Sequence, residues 1–320
     1  MTPLRLLLAV CLIACHSAAS PAPPSAPEQA CAPALPLLAR QHTPNATTIY
    51  LADIAVSADA IRLDRPALLT SKQGYVNQPA FTADGGGVYF TWRPEGSQAD
   101  IWFHDLRTNQ EHPVTCTSEE EYVANPTPDG KGLTVVRVNR DLGRTLTVLG
   151  LDGKPQQTLF PSLNTVGAYR WADDHTVAML LFAPDAPSRI VLGDVRTEQV
   201  DSVAEQVGAS LTVIPGTHAI SYIDNSDEHQ ANLMRLDVAS HTTAKLLALP
   251  DGVDSVAWLA DGSMLAGSGT QILRTSLAAP SWHKVADLSG QIHGEIARLL
   301  VSDDQHRLAI VVRPGSGSPK

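Results

Sequence analysis

A short polar turn between two apolar runs recurs six times along this chain of 320 residues. Most of the turns contain Asp, as in the segments ADGGG, PDGKG and ADGSM. The spacing between successive turns is 45, 44, 42, 46 and 42 residues. A repeat of this length that is built from strands is typical of a β-propeller, in which each repeat forms one blade. The six turns are marked by Asp84, Asp129, Asp173, Pro215, Asp261 and Asp303.

The segments around each turn predict four short strands, rich in β-branched residues and separated by Gly, Asp and Pro. The sixth unit has only two such strands, at 297–302 and 308–312. Two further strands, at 48–53 and 60–63, precede the first unit. We expect them to complete the last blade, because this closure removes an exposed sheet edge. The predicted fold class is therefore all-β: a six-bladed β-propeller of four-stranded antiparallel blades over residues 47–313, the last blade closed by N-terminal strands.

The turns and the residues before them resemble a known repeat. PDGKG and ADGGG, the latter preceded by Pro79-Ala80-Phe81, are similar to the repeat of the TolB-like propellers. The resemblance implies the fold, whereas the repeat serves in many unrelated periplasmic proteins. TolB itself has an additional N-terminal α/β domain, so the resemblance is to the family and not to TolB itself. The turn aspartates are expected to be structural, because their carboxylates accept backbone N–H groups.

The first segment predicts export. Residues 1–14 contain one Arg and a short apolar run, which is typical of a signal peptide. The run ends in Leu12-Ile13-Ala14-Cys15, which resembles the lipobox of bacterial lipoproteins, with Cys15 as the lipidated residue. An ordinary cleavage after Ser20 is the alternative. The lipoprotein interpretation implies anchoring by acyl chains, facing the periplasm, and His16 after the cysteine implies the outer membrane.

Residues 15–46 are rich in Pro, Ala and Ser and predict an extended tether, and residues 314–320 predict a flexible tail. Of the four cysteines, Cys11 leaves with the signal and Cys15 is assigned to the lipid. Cys31 and Cys116 remain as a candidate disulfide in an oxidising compartment. Two unpaired thiols are the alternative.

The charge balance bears on the partner. Lys and Arg number 23 and Asp and Glu number 33, which gives a net charge of −10 with histidines neutral. This balance argues against a nucleic acid partner and against a polybasic membrane contact, since both need a basic surface. Contact with a membrane is therefore expected through the lipid anchor alone.

Motifs of catalysis are missing from the sequence. It has no Gly-x-Ser-x-Gly elbow, no His-Glu-x-x-His helix and no phosphate-binding glycine loop. No catalytic residue and no cofactor are predicted. A metal over the central channel is the weaker alternative, with His293, Glu295, Asn77 and Asn125 as candidate ligands.

Propellers commonly bind on the face formed by the loops between blades and the loops between second and third strands. Two of these loops are acidic, and with nearby aromatic residues they supply the candidates for a binding face. A face of like charges favours a basic peptide, a basic protein or a divalent cation. Two separate solvated loops, and aromatic residues that pack in the blades, are the alternatives. The candidates are Glu119, Glu120, Glu121, Tyr122, Asp224, Asp227, Glu228 and Trp92.

The sequence thus predicts a non-catalytic periplasmic scaffold, a monomeric propeller lipoprotein that binds an envelope protein or peptide. Two alternatives stay open. One is a metal-dependent propeller enzyme of the lyase or lactonase type, and the other is a carbohydrate or cell-wall binding module.

Overall fold

The computed structural model describes residues 46–57, 60–183 and 186–315. Regular structure in these ranges consists of twenty-five β-strands. None of the described residues belongs to a helix that could cross a membrane. The signal segment, Cys15, Cys31 and most of the tether lie outside the described residues, and the predictions made for them stay predictions.

The first described strands belong to the last sheet. Strand β1(Thr48–Val56) pairs antiparallel with β2(Ile61–Leu63), β3(Ala67–Leu68) and the final strand β25(Arg307–Arg313). β25 in turn pairs with β24(Glu295–Val301). This sheet is blade 6, and the prediction that N-terminal strands close it is confirmed.

The other five sheets each contain four antiparallel strands in chain order, as the fold-class prediction requires. Consecutive strands pair through short turns, so each sheet is a meander and forms one blade. Blade 1 is β4(Tyr75–Phe81), β5(Gly87–Arg93), β6(Asp100–Asp105), β7(Gln110–Pro113); blade 2 is β8(Glu120–Pro126), β9(Gly132–Val138), β10(Arg144–Gly150), β11(Pro155–Leu159); blade 3 is β12(Val166–Trp171), β13(Thr176–Ala183), β14(Ala186–Asp194), β15(Val200–Glu205). Blade 4 is β16(Val207–Val213), β17(Ala219–Asp224), β18(Asn232–Asp237), β19(Thr243–Ala248); blade 5 is β20(Val256–Trp258), β21(Ser263–Ser268), β22(Gln271–Ser276), β23(His283–Asp287).

The core lies in the seams between neighbouring blades, because both faces of each middle strand are covered by adjacent sheets. β9 shows this as a run of buried residues without the usual alternation. Trp258 of blade 5 is buried and donates from Nε1 to Ser221 Oγ of blade 4 at 2.8 Å. A buried aromatic ring with a satisfied N–H can therefore join two blades.

The marker turns join the first and second strands of each blade. In the first, the Thr82 hydroxyl donates to Asp84 Oδ1 at 2.6 Å, and the Gly86 N–H donates to the same oxygen at 3.0 Å. These hydrogen bonds lower the pKa of Asp84, because they favour the ionised carboxylate. The structural role expected for this aspartate is thus the one observed.

In the sixth turn, the structural aspartate is not the one that the repeat pattern predicted. The Ser302 hydroxyl donates to Asp304 Oδ1 at 2.5 Å, and the His306 N–H donates to it at 3.0 Å, so Asp304 takes the structural place that the sequence pattern gave to Asp303. Asp303 lines the central channel instead. The face that carries these six turns is called the hairpin-turn face below, and the opposite one the loop face.

Cys116, in the connection between blades 1 and 2, is disulfide-bonded. Its predicted partner, Cys31, lies outside the described residues, and the pairing of the two stays a prediction.

Candidate functional site: the central channel

A cavity of about 430 Å³ occupies the centre of the propeller. Its walls come from the first strand of every blade, and small side chains supply much of the lining. Small residues leave space where six strands converge, which explains why the channel is open at this level. Examples are Ala124, Ala168, Ala209 and Ala257.

The cavity extends to the hairpin-turn face. Pro215, Ala260 and Gln305, which belong to the turns of blades 4, 5 and 6, line it at this end. Pro215 and Ala260 are exposed to solvent. The central cavity therefore reaches solvent-exposed residues on the face opposite the one favoured by the sequence analysis.

Arg170 on β12 is one of two cations in this cavity. Its Nη1 donates to Asn125 Oδ1 at 2.9 Å, and its buried Nε has no hydrogen-bond partner among the described residues. The pKa of Arg170 is lowered, mainly by burial. The charge of Arg298 lowers this pKa further, whereas Tyr169 and Asp303 raise it.

Arg298 on β24 is the second cation, and it comes from blade 6, three blades away around the ring. No hydrogen bond or ion pair joins its side chain to another described residue. Burial lowers the pKa of its guanidinium as well. Two half-buried arginines thus line one channel, and none of the described carboxylates is in ion-pair contact with either of them.

Neither arginine belongs to a recognisable motif in the sequence. The available signal is positional: Arg298 lies six residues before its turn aspartate, Asp304. The residues six before Asp84, Asp129 and Asp261 are Gln78, Val123 and Ser255, which are uncharged. A charge at this level of an innermost strand marks a departure from the repeat.

The segment predicted as one acidic loop lies in the seam between blades 1 and 2. Glu120 and Glu121 are 3% and 1% exposed. Glu120 Oε1 lies 3.2 Å from Arg93 Nη1, and the Tyr122 hydroxyl donates to Glu120 Oε2 at 3.1 Å. These two glutamates do not present their charge to solvent, because a cation or a hydroxyl inside the protein already holds it.

Arg137 compensates the other carboxylates of this segment. Its Nε lies 2.8 Å from Glu119 Oε2 and 3.2 Å from Glu121 Oε1. Burial nevertheless raises the pKa of Glu121 to about 7 and that of nearby Asp100 to about 6. Glu121 Oε2 is buried without a hydrogen-bond partner among the described residues. The segment is a buried polar network and does not form a common acidic face with residues 224–228.

The second acidic loop does face solvent. Asp227 and Glu228 are exposed, and they line a cavity of about 570 Å³ on the loop face. Arg298 reaches this cavity too, and Arg313 Nη1 there lies 2.9 Å from Asp254 Oδ2. Asp224 is half-buried, and its Oδ1 accepts from Ser226 N–H at 2.9 Å, as a turn carboxylate does.

The two aromatic candidates are engaged within the protein. Trp92 Nε1 donates to Gln73 O at 2.9 Å, and its ring packs edge-on against Trp102 at 5.2 Å. Lys72 Nζ lies 4.2 Å from the centre of the Trp92 ring. The Tyr122 hydroxyl is held by Arg93 and Glu120. These contacts favour the packing role that the sequence analysis gave as the alternative.

The four candidate metal ligands have different surroundings in the structure. His293 is exposed, and Glu295 lies 3.8 Å from Arg313. Asn77 Oδ1 accepts from Gln78 N–H at 2.7 Å, and Asn125 Oδ1 accepts from Arg170. Within the described ranges, the group with metal-ligand spacing is Asp173, Asp174 and His175, in a hairpin turn. That group contains none of the four candidates.

Comparison with known proteins finds likeness in structure alone. The sequence matches no protein-family model and no curated protein. A protein of Agrobacterium tumefaciens assigned as TolB is 11% identical, with a TM-score of 0.61, over 83% of this chain and 98% of the other. TolB of Acinetobacter baumannii is 13% identical, with a TM-score of 0.54, over 86% of this chain and 65% of that one.

A gluconolactonase of Xanthomonas campestris is equally similar in shape. It is 12% identical, with a TM-score of 0.61, over 86% of this chain and 99% of the other. At these identities the likeness establishes the fold and assigns no activity. The chain therefore has the fold of the TolB-like six-bladed β-propellers.

Proposed function

We propose that this protein is a non-catalytic binding propeller of the cell envelope, which holds a protein or peptide partner at the hairpin-turn mouth of its central channel. The central cavity carries the proposal: it is lined by all six blades and reaches exposed residues at Pro215 and Ala260. A concave, mostly apolar site with few polar groups is the usual form of a binding pocket.

The chemistry of the lining supports binding over catalysis. The titratable side chains among the residues that line the central cavity are Tyr169, Arg170, Arg298 and Asp303. Burial raises the pKa of Tyr169, so its hydroxyl stays protonated at neutral pH. None of these residues forms a nucleophile–base pair of the kind that covalent acyl transfer uses. The lack of such a pair in the lining supports the binding role.

The cellular address rests on the sequence. The lipobox resemblance at Leu12-Ile13-Ala14-Cys15 supports a lipid anchor, and export supports a periplasmic site of action. Replacing Cys15 with Ala should move the protein from the membrane fraction to the soluble fraction. Retention of the Cys15→Ala protein in the membrane fraction would contradict the anchor.

Site-specific photo-crosslinking in the native envelope tests the binding site. A crosslinking amino acid is placed at Ala260 on the hairpin-turn face, at Glu228 on the loop face, and at Thr243 on the outer strand of blade 4. All three positions are exposed, so the fold should tolerate each change. We expect one specific adduct from position 260 and none from position 243.

Two results would overturn the proposal. An adduct from position 228 alone would place the partner on the loop face. No adduct from any position, together with one tightly held metal ion per purified molecule, would favour the enzyme alternative.

A further inference from the structure

We propose that the central channel binds a carboxylate group of its ligand between the guanidinium groups of Arg170 and Arg298. The inference deepens the proposed function and rests on it, since it names the chemistry by which the channel recognises its partner.

Neither arginine has a carboxylate within ion-pair distance among the described residues. Arg298 is half-buried and makes no hydrogen bond or ion pair there, and Arg170 Nε is buried without a hydrogen-bond partner. Partial removal of an unpaired charge from water costs free energy, which a bound anion would offset.

Partial burial distinguishes these two arginines from others without an ion pair. The protein carries a net charge of −10, and Arg62, Arg196 and Arg235 each lie within 4 Å of a carboxylate of the same blade. Arg140 and Arg144, which have no ion pair among the described residues, are exposed, whereas Arg170 and Arg298 are partly buried and line one cavity. The channel is thus a locally positive site within an acidic protein, which attracts anions.

The charge of the lining selects the class of anion. Asp303 lines the same cavity, so the charged lining of two arginines and one aspartate carries a net charge of +1. This balance matches a single carboxylate better than a doubly charged phosphate. A guanidinium also presents two parallel N–H donors, which fit the two oxygens of a carboxylate.

The route of entry follows from the two ends of the channel. On the loop face, the cavity that Arg298 reaches is lined by four carboxylates against two arginines, Arg298 and Arg313, so its charged lining is net negative and disfavours an anion. The central cavity reaches the hairpin-turn face instead, beside the exposed Pro215 and Ala260. A carboxylate should therefore enter from the hairpin-turn face.

Titration with a small carboxylate and its neutral analogue tests the inference on the full chain. The probes are N-acetylglycine, N-acetylglycinamide and inorganic phosphate, at pH 7.5 and constant ionic strength. Titration calorimetry should show saturable binding of N-acetylglycine and none of the amide. Arg170→Gln and Arg298→Gln should each weaken binding about ten-fold or more, as expected when a charge-assisted hydrogen bond is lost.

Matched variants keep the test decisive. Arg196→Gln removes the same charge from an exposed site and should bind as the unchanged protein does. Arg298→Lys keeps the charge without the planar donors and should bind with intermediate affinity, which covers the case in which a Gln variant fails to fold. Binding of the amide, unchanged binding by both Gln variants, or binding of phosphate alone would overturn the inference.

The outcome is separable from that of the proposed function. An adduct at position 260 without any carboxylate binding would support the proposed binding site and contradict the carboxylate inference. Carboxylate binding without an adduct at position 260 would support the carboxylate inference and contradict the proposed partner site.

Discussion

The seam between blades 5 and 6 is filled mainly by aliphatic side chains, whereas the seam between blades 1 and 2 contains buried paired charges. Thirteen buried hydrophobic residues form the cluster at the 5–6 seam, including Leu265 of blade 5 and Ile310 of blade 6. Within the described ranges, the corresponding cluster of the 1–2 seam has four, namely Ile101, Ala124, Val135 and Leu149.

The same packing problem is therefore solved in two ways. The 1–2 seam also buries Arg93 beside Glu120, and Glu121 beside Arg137. Apolar burial stabilises a seam at any pH, whereas the contribution of a buried carboxylate depends on its partner and on its protonation state. The disulfide-bonded Cys116 lies in the connection that spans the polar seam. The comparison predicts that the two seams respond differently to mutation and to pH.

Breaking the buried ion pair should have the largest effect. Arg93→Met leaves Glu120, which is 3% exposed, as an uncompensated buried charge. We expect a loss of about 3–5 kcal/mol in the free energy of unfolding, measured by denaturant titration. The double variant Arg93→Met/Glu120→Leu should recover part of this loss, and Arg62→Met, in an exposed pair, should be neutral. A loss below about 1 kcal/mol for the single variant would show that the pair is not decisive.

A cavity in the aliphatic seam should cost somewhat less. Leu265 is fully buried, and Leu265→Ala should reduce the free energy of unfolding by about 2–5 kcal/mol. The loss should be the same at pH 5 and pH 8, because the cluster contains no titratable carboxylate. Leu277→Ala, at an exposed position, is the control. A loss that changes with pH would contradict the expected difference between the two seams.

The polar seam should make stability depend on pH between about 4.5 and 7.5. Burial raises the folded-state pKa of Glu121 to about 7 and that of Asp100 to about 6, so the folded protein binds more protons than the unfolded chain in this range. Stability is therefore greatest at the acidic end and falls as pH rises, with Tm falling by a few degrees. Calorimetry of Glu121→Gln should give a flatter curve, whereas Glu228→Gln, on the exposed loop, should not. A Tm that rises with pH over this range would contradict the assignment.

A partly exposed ion pair at the aliphatic seam should matter least. Arg274 Nη2 lies 2.6 Å from Asp261 Oδ2, and its Nη1 donates to Ser57 O of blade 6 at 3.0 Å. Because Asp261 is 40% exposed, solvent screens the pair, and Asp261→Asn should cost less than about 1 kcal/mol. Denaturant titration beside Arg93→Met makes the comparison direct. A cost equal to that of Arg93→Met would mean that burial does not separate the two pairs.

The repeat in the sequence predicted the blades well because each blade is a local meander with its own turn chemistry. Asp84 is recognisable from its own segment, since the Thr and Gly that hold it lie within two residues. The sixth turn was assigned to Asp303 because two adjacent aspartates fit the pattern equally. Only the hydrogen bonds from Ser302 and His306 identify Asp304 as the structural one.

The candidate site was less predictable for the same physical reason. A run of three glutamates is ordinarily a solvated loop, yet Glu120 and Glu121 begin a strand that the neighbouring blade covers. Arg93, which compensates Glu120, lies 27 residues earlier on another sheet. No local pattern shows such a pairing.

The sequence by itself determined the number of blades, their order and the closure of blade 6, because these depend on contacts between strands that are neighbours in the chain or share its ends. The tertiary structure decided which charges are buried and which are exposed. It placed Arg170 and Arg298, 128 residues apart, in one channel, and it covered the glutamates at the blade 1–2 seam. The environment of a side chain in a propeller is set by the next blade and by the channel axis, so its charge state and its partners appear only once the ring is closed.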